Sequence, residues 1–437
     1  MKKLLLTAGI VVLSATVAFG GSTVENSVLL NMGATDTNNL AEGEKSEANV
    51  GTIKLKESTV KDSAVGNIAI VNNSDNTAKG DESEANLGSI RMEKSTLTDS
   101  IVVNGSGIHT GHENLAEGSE SEANMGSIRM NNSTVEDDSV VANVAIMQPN
   151  SNNTAKGDKS EANLGSIRMD EGTNVSKSGV LNIVETDSNS NNTASGYKSE
   201  ANSASIRMND ADVKNESVII NHVDLRNAPN EASGDESEAN MGAIRLKNAT
   251  IDHSIVGNDV EVTNSINEAS GYNSQASMGS IKISSGSEIR DSLVGNVGTE
   301  ITGGSTNLAS GSGSTATSGS IQISRSEVTD SAVLNSARID NTDNTASGDD
   351  AIARVGSIRV YPASTIKNNS IIGNVVAVND SENTASGKGS RARMATVEID
   401  NSEVSGSNIL NIANVNSSTN VASGDYSEAN TSSVVVK

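Results

Sequence analysis

The chain has 437 residues, with 55 acidic against 31 basic side chains, a formal net charge of −24, one Phe, no Trp and no Cys. That charge excludes nucleic acid and anionic membrane as partners, since both repel an acidic surface. The scarcity of aromatic residues excludes an ordinary globular core of this length, and the absence of Cys excludes disulfide support.

Residues 1–20, MKKLLLTAGIVVLSATVAFG, read as a secretory signal peptide. Lys2 and Lys3 start it, Leu4 to Val17 form the apolar stretch, and Ala18 and Gly20 offer small residues for cleavage. The apolar run is short for a span and nothing later resembles one, so no membrane span is expected after cleavage. Residues 21–437 are then expected to form a single repeat domain, extracellular or at the cell surface, with the periplasm as the alternative. In it 29 basic residues remain against 55 acidic ones, which favours solubility.

A signature N-x-A-x-G sets the register of the repeat. Its Gly recurs eleven times from Gly43 to Gly424, in steps of 37 to 40 residues. Within each copy a strand alternates. Around Asn67, the residues Ser63, Val65, Asn67, Ala69 and Val71 share one face. The Ser, an aliphatic residue two later and the Asn two beyond that recur in every copy, from Ser27, Leu29 and Asn31 to Ser407, Ile409 and Asn411. A second strand, GSIRM, sets Ile90 and Met92 on one side and Arg91 on the other. A third apolar position is Val60, or Leu97 in the next copy. Asn, Asp, Ser and Gly fill the turns between, as in NNSDN at 72–76. Helix is excluded because the apolar spacing is two and Gly, Ser, Thr and Asn interrupt every window.

The expected fold is all-β: a right-handed parallel β-solenoid (β-helix) of eleven repeats of about 38 residues, each too poor in apolar surface to fold alone. The recurring Asn suits a ladder of side-chain amides running from copy to copy. The repeat length fits one large coil or two small ones. At a strand spacing of about 4.8 Å these give stacks of about 50 Å or about 105 Å.

The stacked Asn, Ser and Gly pattern behind a signal peptide resembles secreted bacterial β-solenoid proteins, the adhesins and filament-like surface proteins. It is loosely similar to curli-type fibre subunits, although the unit here is about twice as long and lacks their Gln ladder. The resemblance implies an exterior structural role and carries over no functional residue.

Candidate sites are few. A carbohydrate-active parallel β-helix enzyme, or a carbohydrate-binding module, is the alternative to a structural or adhesive protein. An enzyme site needs a local break in the repeat with clustered carboxylates or bases, and the sequence shows none. His109 and His112 share the loop HTGHE with Glu113, a partial metal set, while His222 and His253 lie in other copies. Acidic turns at 80–84, 234–238 and 348–350 offer oxygen ligands for weak calcium binding, but the acids lapse at 271–275 and 311–315, so a solvated surface is expected. Tyr197, Tyr272 and Tyr426 follow the signature Gly in three copies and could meet a polysaccharide. No catalytic, cofactor or metal residue is assigned. The chain stops at SSVVVK and begins mid-unit at STVENSVLLN, so self-association end to end is expected.

One pairing recurs. Six copies place Glu and a base seven residues apart, from Glu47 and Lys54 to Glu238 and Arg245. A seventh keeps only the base, as Gln275 with Lys282. In the tenth copy the charges reverse, as Arg391 and Glu398. A catalytic pair would not survive reversal, so these read as exposed, register-setting ion pairs. A double swap of Glu161 and Arg168 is expected to be tolerated better than either single change.

Overall fold

The structure, a computed structural model, describes residues 5–13, 17–35, 39–71, 75–108, 112–186 and 190–436. Among them every regular element is a β-strand, and strands pair in parallel. Each repeat closes one coil. The sixth coil runs Asp212–Lys214, Val218–Arg226, Asn230–Ser233, Glu238–Met241 and Ile244–Lys247. Its first two strands belong to a broad 22-stranded sheet, the next two to separate 11-stranded sheets, and the last to a 12-stranded sheet, counted over the described residues. The 38-residue unit is therefore one large coil. Eleven coils at about 4.8 Å make a stack about 50 Å long.

Equivalent residues lie directly above one another, as Asn182, Asn221 and Asn258 do. The register slips once, between Asn258/Glu261 and Asn296/Thr299, where the eighth coil takes in one extra residue as a bulge.

The alternating pattern buries one side of every strand. The main core joins the GSIRM strand, the short strand and the first half of the long one: Met92, Leu97 and Val102 are each 0% exposed. A second core sets Leu87 and Met125 against Ala145 and Ile108. The third consists of alanine alone, with Ala78, Ala85 and Ala116 stacked where two sheets approach too closely for anything larger. Stacking is what buries these small side chains, at about 0.8 kcal/mol per CH₂.

The inward asparagines and corner serines bond along the stack. The expected amide ladder runs unbroken from Asn31 to Asn411, each Nδ2 donating to the next Oδ1 at 2.7–3.1 Å. A second ladder, formed by the signature Asn from Asn39 to Asn420, repeats this. Its other N–H groups cross the coil to alanine carbonyls, as Asn76 does to Ala48 at 3.0 Å. A third runs the opposite way, from Asn240 down to Asn49. At the corner, Ser217 donates its hydroxyl to the Lys214 carbonyl at 2.6 Å, and its N–H meets the Ser254 hydroxyl at 3.3 Å.

The signature Gly has a steric cause. At Gly234 φ is +120°, and an added Cβ would stand 2.1 Å from the carbonyl oxygen of Gly196 in the coil below. Only glycine permits that approach.

Residues read as a signal peptide also stack. Leu5–Leu13 pairs in parallel with Thr23–Asn31, and Val17–Gly20 with Ile53–Lys56. No helix among the described residues is long and apolar enough to cross a membrane.

Candidate functional site

The recurring Glu and base sit on adjacent strands either side of a bend at positive φ, as at Gly88. All six expected pairs form: Lys54 with Glu47 at 2.6 Å, and Arg91, Arg129, Arg168, Arg207 and Arg245 with Glu84, Glu122, Glu161, Glu200 and Glu238. Except for the first pair, whose Glu47 is exposed, they are not exposed: the Arg129 and Glu122 side chains are only 18% and 12% accessible. Nor are they isolated. Arg129, Arg168, Arg207 and Arg245 also reach the Glu of the preceding coil, as Arg168 does to Glu122 at 3.0 Å and Arg207 to Glu161 at 3.2 Å. The row is one staggered network, which holds more than separate surface pairs would.

Two corrections follow. Swapping Glu161 and Arg168 places a new carboxylate beside Glu122 and a new base beside Arg207, so the double variant is expected to melt as low as the single ones. Thermal denaturation of the three proteins checks this. And the reversed tenth pair does not form. Buried Glu398 pairs instead with Arg359 at 3.5 Å and Arg393 at 3.3 Å, and Arg391 makes no ion pair among the described residues.

Crowded carboxylates respond oppositely along the row. Burial pushes Glu122 and Glu200 up, but arginines on both sides outweigh it and hold both at about 2. Burial pushes Glu84 up with Glu122 beside it, and Glu161 up despite Arg168 and Arg207. Carboxylates held low give stability that is present above the ordinary value of 4.5 and lost as pH falls toward about 2. Those pushed up give stability that is present below 4.5 and lost as pH rises. The melting temperature is therefore expected to peak on the acid side of neutrality and to fall steeply below pH 4.5, which a pH series of melts checks.

The repeat does break, contrary to the sequence reading. The column that holds Asn240 continues as Ser277, Thr317, Arg354 and Arg393. Arg354 is 1% exposed, and its three guanidinium nitrogens have no acceptor among the described residues. Burial pulls it down to about 10, so it stays charged at neutral pH. Tyr361 covers it, with its ring 5.5 Å from Arg354 and 3.9 Å from Arg359. Lys282 lies below, pulled down by burial, beside Gln275 rather than a carboxylate. Beside Lys282, a cavity of about 10 Å³ lined also by Arg245, Ser277, Thr317 and Gln322 has room for one water. This cluster is buried rather than an open cleft. A buried charge without an acceptor is costly, so Arg354→Met is expected to stabilise the protein by about 1–2 kcal/mol in chemical denaturation.

The other candidate residues are scattered. His109 lies outside the described residues. His112 pairs with Ser151 through its backbone, and Glu113 is exposed. His222 meets Asp259 at 2.9 Å. His253 was not read as a ligand, yet it stands with Asp252 and Asp291 so that ligand atoms of all three lie within 4.8 Å, an exposed set able to hold a divalent cation. Asp252 precedes His253 in the chain, and Asp291 joins them only because the next coil stacks above. The acidic turns serve the stack instead. Asp81 and Asp235 accept backbone N–H groups of Ser119 and Tyr272 at 3.0 Å. Glu82, Glu120 and Glu236 pair with Lys45, Lys159 and Lys198 of neighbouring coils. Tyr197, Tyr272 and Tyr426 occupy one column of turns and are 42%, 55% and 88% exposed.

The outward side of the long strands is a regular surface. It carries rows of aliphatic residues, among them Ile68, Ile101, Ile255 and Val375, each 41–49% exposed. Shallow grooves of about 510 and 460 Å³ flank it. No protein-family model, curated protein or solved structure matches the chain.

Proposed function

We propose that the protein is a non-enzymatic, exported structural rod, adhesive at surfaces, that assembles end to end into a fibre. The observation that carries this reading is the use made of the recurring polar residues: the Asn ladders, the Glu–Arg row and the acidic turns all bond coil to coil. Each coil offers the same donors and acceptors above and below, so the coil of a second copy is a natural neighbour. Residues 1–20 act as the export signal in this reading. Leu5–Leu13 lies along Thr23–Asn31, and cleavage would free that edge for pairing. The exposed tyrosine column supports contact with a polysaccharide surface. Electron microscopy of the purified protein lacking residues 1–20 tests assembly. Filaments growing in steps of about 50 Å are expected, and single short rods at every concentration would overturn it.

A further inference from the structure

The outward side of the long strands is an unusually apolar plane for a chain carrying a net charge of −24. Two adjacent columns define it. One begins Val28, Ala64, Ile101 and the other Leu30, Gly66, Val103, each continuing through all eleven coils in register. Val, Ile, Leu, Ala or Gly occupies ten of eleven positions in the first column, Asn408 being the exception, and all eleven in the second. Many of these side chains are in solvent: Ile101 is 49% exposed, Ile255 44% and Ile220 37%. Gly179 and Gly257 leave shallow notches, but other glycines of the columns are covered. A Cβ at Gly66 or Gly373 would meet the Cδ2 of Leu30 or Leu334 at 2.7 or 2.8 Å, so leucines lie across those two gaps. Polar residues border it, with Glu216, His253 and Asp291 along one edge and Glu300 and Arg338 along the other. An apolar centre with a polar rim is the anatomy of an interface, and isolated monomers rarely expose so long an aliphatic patch.

We infer that this face binds the same face of a second copy, so that two solenoids pair side by side. Two observations select that occupant. The first is size: a plane about 50 Å long and about 15 Å wide covers about 750 Å² per copy, or about 1,500 Å² in all, the standard size of a stable interface. The second is period. A second copy repeats at the same spacing of about 4.8 Å, so its rows match along the full length, with sheets about 10 Å apart. The rims are mainly acidic and repel, so pairing tightens as salt rises. This goes beyond end-to-end assembly, which uses the coil edges and leaves the face free.

Sedimentation of the full chain tests it, with two variants that alter outward residues only. The wild type is expected to sediment as a dimer, more tightly at high salt. Ile255→Lys with Leu334→Lys should weaken pairing at least 100-fold while leaving the circular dichroism unchanged. Ile220→Cys, at the middle coil, faces its own symmetry mate and should give a disulfide-linked dimer on oxidation, whereas Thr193→Cys on another sheet should not. A wild type that stays monomeric at every concentration would overturn the inference. So would association that survives the lysines and leaves Ile220→Cys uncrosslinked. That second outcome is the one end-to-end stacking produces, so failure of one mode is told apart from failure of the other.

Discussion

Replacing Gly234 by Ala is expected to break the stack at its centre. The new Cβ would lie 2.1 Å from the carbonyl oxygen of Gly196 and 2.6 Å from its carbon, at a φ of +120° that alanine does not adopt. The obstacle is backbone, not a side chain that can swing aside. Parting the coils would break the ladder bonds flanking the turn, such as that of Asn192 to Asn230 at 2.8 Å. The loss should exceed about 4 kcal/mol, in the exceptional range for one substitution. Because each coil touches only its neighbours, calorimetry should also show unfolding split into two steps. Gly88→Ala is the comparison. Its φ is +60°, its new Cβ would meet nothing closer than the Ser106 Cβ at 3.2 Å, and alanine already stands at the equivalent Ala204 and Ala395. That change should cost about 1–2 kcal/mol. Equal damage from both would show that the contact with Gly196 is not what requires glycine.

Asn221→Ala is expected to be nearly as damaging, for an electrostatic reason. Asn221 accepts from Asn182 at 2.8 Å and donates to Asn258 at 2.9 Å, and all three are 0% exposed. Alanine removes two hydrogen bonds and strands the Asn182 donor below and the Asn258 acceptor above, each at about 1–3 kcal/mol. Denaturant titration should show a loss of about 3–5 kcal/mol, whereas outward Thr193→Ala should stay within about 0.5 kcal/mol. Asn221→Asp should be worse than Asn221→Ala. A carboxylate at neutral pH cannot donate to Asn258, and it would be buried as a charge.

How far the sequence carried depends on whether a feature lies within one strand or between coils. Ser217, Ile219 and Asn221 declared their common face because a strand's period is two, and the repeat length aligned them with their neighbours. The pairing of Glu84 with Arg91 was legible because both lie within one copy. The number of coils per repeat was not, because nothing in 38 residues says at which turns the chain changes direction. Arg168 reaches Glu122 at 3.0 Å across 46 residues, a distance in sequence that no local spacing suggests. The reversed pair Arg391 and Glu398 kept the spacing but not the contact, since Arg393 lies closer on the buried side of the same strand. Arg354 occupies a column that holds Asn in other coils, and only the packed neighbours show that it lacks an acceptor. The aliphatic plane was present as the unremarked alternate residues of the long strand, Ala64, Gly66 and Ile68.

The claim on which the rest stands is that each repeat is a single coil held in register by interior amide ladders. Solution X-ray scattering of the protein at a concentration where it is monomeric measures this most directly. A stiff particle about 50 Å long, its axis set by eleven steps of about 4.8 Å, is the expected result. A particle about 105 Å long, or a profile without a defined axial length, would contradict it.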